Sequence, residues 1–205
     1  MNKPLRKRNS PKGSARREQI LDAATRLFAR GGFNTVSLSD IAEDVGITNA
    51  GLLHHFPSKK ALFMGMLERR DQMYIDSRAR QKASGLGFFD GFFATLKDNE
   101  SDPETVRLFT ILSSEALVDD HPAKDWFTNR YDRIISDAIA DIDLLVDPNK
   151  LPPGVEVEDI ARGIIALADG LRLQWLMDPD SLDRTTILRK FTAMLHPYMR
   201  KPKGD

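Results

Sequence analysis

From about residue 15 almost to its end, the chain repeats apolar side chains every three or four positions, with no convincing alternation every two. That period belongs to helices that each bury one face, so the sequence predicts an all-α fold. Ile20, Leu21, Ala24, Leu27 and Phe28 make the first such face, and Gly31-Gly32 closes it with a glycine stop signal. Short helices are predicted over 38–45 and 49–55, then a long one over about 59–81. Five more are read near 87–97, 103–118, 123–145, 156–177 and 183–199, about nine in all. The breaks between them are Gly85, Ser101-Asp102-Pro103, His121-Pro122, the proline-containing stretch from Asp147 to Gly154, and Asp178-Pro179-Asp180.

The two short helices carry the functional signal. Leu38, Ile41, Ala42 and Val45 point inward from the first. Ser37 and Asp40 have capping-box spacing, and Val36 and Ile41 are placed as its hydrophobic staple. Gly46 stands where a tight turn needs positive φ, Ile47 plugs the corner, and Thr48 can cap the next helix. Leu52 and Phe56 anchor that helix, while Thr48, Asn49, Ala50, Gly51, His54 and His55 are offered outward. Two short helices about such a turn form the helix-turn-helix pattern, whose second helix enters the major groove. The spacing alone also fits two packed helices with no nucleic-acid role.

Charge separates the two ends of the chain. The formal net charge is zero, yet residues 1–70 hold 13 Lys+Arg against 6 Asp+Glu, and residues 71–205 hold 17 against 24. Lys3, Arg6, Lys7, Arg8, Lys12, Arg16 and Arg17 crowd the first 17 residues, which contain no acid. A basic head on an acidic body directs only the head at a polyanion. A solvated, disordered tail accounts for the charge equally well.

Several function classes drop out. The chain has no cysteine, hence no disulfide and no thiolate metal site. No apolar run approaches bilayer length, and the basic N-terminus lacks the apolar stretch of a secretory signal. A cytoplasmic protein with no membrane partner and no cofactor is expected. There is no nucleophile elbow, no glycine-rich phosphate loop and no metal-binding spacing, so no enzyme is expected. His54 and His55 are neighbours on a helix, diverge by about 100°, and have no acidic or cysteine partner nearby in sequence to complete a metal site.

From Arg17 to Leu62 the chain resembles the TetR family of bacterial regulators. The resemblance is carried by Ile20-Leu21-Asp22-Ala23-Ala24, Leu27-Phe28, Gly31-Gly32-Phe33, Thr35-Val36, Asp40-Ile41-Ala42, Val45-Gly46-Ile47, His55-Phe56-Pro57-Ser58-Lys59 and Leu62. More loosely, Ala166-Leu167-Ala168-Asp169-Gly170-Leu171 through Gln174-Trp175 and Asp178-Pro179 is similar to the penultimate helix of many members. The resemblance implies nine helices, a homodimer, a palindromic double-stranded DNA operator, and a C-terminal cavity for a small effector that releases the protein from DNA. A repressor follows; an activator, or a regulator that needs no ligand, is the alternative. Two residues depart from the family. Leu53 stands where tyrosine is usual, and it cannot hydrogen-bond a phosphate as that hydroxyl does; a thymine methyl, a sugar or simple packing remain open to it. Lys60 replaces a common acid and adds positive charge.

The expected organisation is a basic disordered arm over 1–14, a DNA-binding domain over 15–58 and a ligand-binding and dimerisation domain over 59–200. The DNA-binding set is Arg16, Arg17, Ser37, Thr48, Asn49, Ala50, Gly51, Leu53, His54, His55, Lys59 and Lys60. Asn49 has the amide that pairs with adenine, and His55 is placed to donate to a phosphate. In the body, aromatics and methionines at helical spacing are usually core. The four phenylalanines between Phe88 and Phe93 nevertheless exceed one packed stripe. The effector set is Met66, Phe88, Phe92, Phe109, Ser113, Trp126, Tyr131, Leu171 and Trp175, with Arg107, Thr110, Asn129 and Gln174 as further polar candidates. The dimer set is Ile164, Ala168 and Leu171 with Ile187, Phe191, Met194 and Leu195, two helices from each subunit making four. Gly163 and Gly170 each cost about 1 kcal/mol relative to alanine in a helix, which a close crossing would offset.

Overall fold

The computed structural model describes residues 11–200. Nine α-helices run through them: α1 Pro11–Thr35, α2 Leu38–Val45, α3 Asn49–His55, α4 Lys59–Ala83, α5 Phe88–Glu100, α6 Pro103–Glu115, α7 Lys124–Asp143, α8 Val157–Met177 and α9 Arg184–Ala193. Short 3-10 turns occupy Pro148–Lys150 and His196–Tyr198. The all-α expectation holds among the described residues, whose only β-type pairing is an isolated bridge between Val146 and Met199. The last helix stops well before the expected 199. Pro197 cannot continue an α-helix, and the chain leaves through the second 3-10 turn.

The chain divides into two compact units at Met73/Tyr74, inside α4. The sequence reading set the boundary at 58/59. The division falls later because the first half of α4 supplies Leu62, Phe63, Met66 and Leu67, all buried, to the first unit. That placement also removes Met66 from the body's effector set. Pro11 to Ser14, expected in the disordered arm, are helical, and proline is well suited to a first helical turn. The remainder of the arm lies outside the described residues.

In the first unit, Ile20, Leu21, Ala24 and Phe28 of α1 pack inward with Ile41, Ala42, Leu52 and Phe56. Phe28, Phe33 and Phe63 form a ring cluster with centroids 4.5–6.1 Å apart. Gly32, at φ 70° and ψ −178°, interrupts the helical backbone near the end of α1.

The second unit has two apolar clusters. Ala138, Ile142 and Val146 meet Ala161 and Ile164 of α8, and Phe88, Phe89 and Phe92 of α5 pack against them. Phe93, Leu171 and Leu188 join α5, α8 and α9 in the other. A buried charge ties the second cluster's helices. Arg184, 3 % exposed, donates from Nε to Glu100 at 3.2 Å and from Nη2 to the Leu96 carbonyl at 2.8 Å. Its guanidinium lies 4.4 Å from the Trp175 ring centre.

Candidate nucleic-acid interface

The turn between α2 and α3 is fixed at both ends by local hydrogen bonds. The Ser37 hydroxyl accepts from the Asp40 N–H at 3.1 Å, and the Asp40 carboxylate accepts from the Ser37 N–H at 2.8 Å, a complete capping box. Those bonds hold the Asp40 carboxyl below the usual carboxylate range. At the other end Gly46 takes the left-handed conformation, φ 68° and ψ 41°. Its N–H reaches the Glu43 carbonyl at 3.0 Å and the Ile47 N–H reaches Ala42 at 2.9 Å, a Schellman closure. The Thr48 hydroxyl then caps α3 by accepting from Gly51 N–H at 3.1 Å.

α3 has one anchored side and one free side. Leu52 and Phe56 are buried, whereas Asn49, Ala50, Leu53 and His54 are exposed. Gly51 and His55 are half-buried. The Asn49 amide nitrogen donates to the Ser39 hydroxyl at 2.8 Å. That bond orients the amide and leaves one N–H and the carbonyl oxygen for a base edge.

Three cations of the expected DNA-binding set also hold the head together. Arg16, exposed, reaches the Val45 carbonyl at the end of α2 at 3.4 Å. Arg17 donates to the His55 carbonyl at 3.3 Å and lies 4.0 Å from the centre of the Phe56 ring. Lys59 reaches the Asn34 carbonyl at 3.4 Å and lies 4.6 Å from the Phe33 ring centre. A positive group at a helix C-terminus is favoured by the helix dipole. Half-buried Arg17 is thus a brace for the end of α3 rather than only a groove-flanking charge. Lys60 is exposed. Burial, then the nearby His54, Arg17 and Arg16, lower the His55 pKa from the ordinary histidine value. The His54 and His55 rings are 5.7 Å apart, and no cluster of three metal-ligating side chains occurs among the described residues.

Gly65 makes the brace possible, and the sequence reading missed it. A Cβ at Gly65 would lie 3.0 Å from the Phe56 ring and 3.3 Å from the Arg17 guanidinium. Gly65→Val is expected to destabilise the head by about 2 kcal/mol through overpacking, read as a lower urea midpoint, and to weaken DNA binding in parallel.

The expected effector residues do not form one group. Phe88 and Phe92 stack at 6.0 Å and pack on the first body cluster; Leu171 is buried in the second. Trp175 lies under Arg184. Phe109, Trp126 and Phe127 form a separate ring group, with centroids 4.9–6.4 Å apart. The Tyr131 hydroxyl donates to Asp169 at 2.6 Å, and Asp169 pairs with Arg172 at 3.1 Å. Burial, then the Asp169 bond, push the Tyr131 hydroxyl's pKa up. Ser113 and Thr110 bond backbone carbonyls of their own helix, and Arg107, Asn129 and Gln174 are exposed.

The dimer set needs correction on α8. Ile164 and Leu171 are buried within the chain, and Ala168 is half-buried against the second cluster. Their shared face is used up by the chain's own core. The opposite face of α8 carries Gly163, Ala166, Gly170, Leu173 and Met177, all exposed. No side chain of the described residues comes within 4 Å of a Cβ built at Gly163 or Gly170. On α9, Ile187 and Phe191 are exposed, as is Met194 at its C-cap, whereas Leu195 just beyond is half-buried. The 3-4-3-4 spacing from Gly163 to Met177 was the sequence signal for this outer face.

Comparison with known proteins identifies the family and the fold. Residues 20–66 match the family described as bacterial regulatory proteins of the tetR family, and residues 92–197 match the BetI-type transcriptional repressor C-terminal family. The chain is 27 % identical to the HTH-type transcriptional regulator TtgR of Pseudomonas putida, over 95 % of this chain and 99 % of that protein. It is 29 % identical to the HTH-type transcriptional regulator BetI of Agrobacterium fabrum, over 78 % and 76 %. Among solved structures, a TetR-family regulator from Agrobacterium tumefaciens shares its fold at TM-score 0.72 and 21 % identity, covering 91 % of this chain and 99 % of that one. A regulator from Saccharomonospora viridis, solved with choline, shares it at 0.70 and 22 %, covering 92 % and 100 %. With a capped, outward-facing α3 at one end and a repressor-type helical body at the other, the chain belongs to the TetR family of DNA-binding transcriptional regulators.

Proposed function

We infer that this chain is a cytoplasmic repressor that binds a palindromic DNA operator as a homodimer and is released by a small, largely apolar effector. The observation that carries the DNA part is α3 itself. Its outer face of Asn49, Ala50, Leu53 and His54 stands clear while Leu52 and Phe56 lock its inner face. Asn49 can take adenine N6 and N7 with its free N–H and carbonyl. The residues flanking α3, Arg16, Thr48, Lys59 and Lys60, supply phosphate contacts, with Ser37 completing the α2 start.

The second copy is supported by the outer face of α8 and α9. Met177, Met194, Leu173, Phe191 and Ile187 are between 38 and 77 % exposed. Apolar side chains left open at heptad spacing fit a helical partner, and Gly163 and Gly170 let that partner's backbone come close. Two heads must then present their α3 helices about 34–36 Å apart, or a multiple of that, to reach successive major grooves.

For the effector, the half-buried rings Phe109 and Trp126 offer apolar surface, and, separately, Tyr131 with the Asp169–Arg172 pair offers polar groups that can orient a ligand. A ligand stabilises only the arrangement it prefers, so one that favours the wrong head spacing empties the operator. Thermal titration with a metabolite panel, followed by release of the stabilising compound's complex from DNA, tests this. If every compound that raises the melting temperature leaves operator occupancy unchanged, the ligand-independent regulator is the better reading.

Operator binding should weaken steeply with salt. Lys60→Ala should flatten the log–log slope by about 0.9, one released counterion's worth. Asn49→Ala should cost about tenfold on operator DNA and almost nothing on random DNA. Equal losses on both duplexes would remove Asn49 from base reading.

A further inference from the structure

Leu53 is a large apolar side chain, 43 % exposed, in the middle of the helix that faces DNA. It lies outside the core: Leu52 and Phe56 fill the inner side of α3 and are almost fully buried. It has no polar atom, so it gives nothing to a phosphate or to a base edge by hydrogen bonding. In its register it follows Asn49 by four residues and Ala50 by three, on the same outer stripe. Ala50 is exposed and small, which keeps the backbone of α3 free to approach a groove floor.

The major groove offers one apolar projection, the C5 methyl of thymine. Resting on the reading of α3 as the groove-binding helix, the geometry points to Leu53 as the residue that reads a thymine methyl in each half-site. Ala50 and Leu53 are separated by about 4.5 Å along the helix axis, between one and two base steps of about 3.4 Å. The thymine under Leu53 therefore lies within two base pairs of the one under Ala50, with the Asn49 amide on the same stripe. Discrimination at that base pair comes from shape and desolvation of a methyl, without a hydrogen bond. Cytosine at the same position presents a donor and no methyl, and leaves Leu53 against a polar edge.

The test uses the purified full chain and a duplex enriched by it from random-sequence DNA. Each thymine of one half-site is replaced in turn by deoxyuridine, which removes only the methyl. At one position the unmodified protein should lose about fourfold in affinity, the worth of one buried methyl. Leu53→Ala should bind the thymine and deoxyuridine duplexes alike, and Leu53→Met should restore the preference for thymine. Circular dichroism checks that the variants keep their helices. If the unmodified protein is indifferent to deoxyuridine at every position, or Leu53→Ala retains the full preference, the assignment is overturned while DNA binding stands. If no duplex is enriched over random DNA, the operator reading itself fails and takes this one with it.

Discussion

On the homodimer reading, Phe191→Asp should give a single chain in solution and lower operator affinity by at least about 100-fold. Phe191 is 45 % exposed on α9, between Ile187 and Met194 on the same open face. The chain's own core does not rely on it, so the substitution should leave each chain folded. A carboxylate placed at the centre of an apolar helical interface is left unpaired and desolvated, which association cannot offset. Without its partner, one head loses the gain from binding two half-sites together, which ranges from about 10² to 10⁴. Light scattering after size exclusion reads the mass, and fluorescence anisotropy on operator DNA reads the affinity. Gly170→Leu is a companion from the facing helix. Its side chain enters open space within the chain and gains helix propensity, so it should raise the stability of a single chain while weakening association. A dimer that survived both changes would place the interface elsewhere.

Arg184→Ala should destabilise the body by about 3 kcal/mol, the cost of removing one member of a buried ion pair. The substitution strips Glu100 of its closest buried partner, the Leu96 carbonyl of an extra donor and the Trp175 ring of its cation. Denaturant unfolding followed by tryptophan fluorescence is a direct readout, since Trp175 touches the altered group. Arg184→Met should cost less, because it keeps the packed stem without leaving a void. Glu100 gives the pH dependence. Burial pushes its carboxyl up, but hydrogen bonds from Lys97 and Arg184 win and hold it below the usual range. A lowered carboxyl contributes stability that is present above the unfolded-state value and disappears as pH falls through the folded one. The wild-type midpoint should therefore drop on acidification, and the Arg184→Ala midpoint should drop less.

Much of the head was legible in the sequence because its signals are local. The Ser37–Asp40 box, the Gly46 turn and the Thr48 cap each depend on residues within five positions, and all three form. The body was harder because burial there is decided between helices. Ile164 and Leu171 share a periodic face with Ala168, and that face was assigned to a partner chain. Periodicity marks such a face without saying whether its own core or another chain covers it. The outer face was hidden by composition. Gly163, Ala166 and Gly170 have low apolar weight, so the face that they share with Leu173 and Met177 does not stand out as an apolar stripe. Arg184 was invisible for a different reason. A single charged residue near a helix start reads as solvated, and only its meeting with Glu100, 84 positions earlier, buries it. Arg17 and Lys59 are expected at the groove from the sequence, but their bonds to His55 and Asn34 depend on how α1 crosses the ends of α3 and the turn after it.

The seat at Gly65 bears on how firmly α3 is held. Phe56 is wedged between Arg17 and the glycine, and Arg16 closes the end of α2 in the same way. Helices of eight and seven residues have little stability of their own, so these clamps give the reading surface its stiffness. The outer stripe of α3 thus takes its shape from what α1 and α4 lend it, and a change at Arg17 or Gly65 would blur it without touching any residue on it.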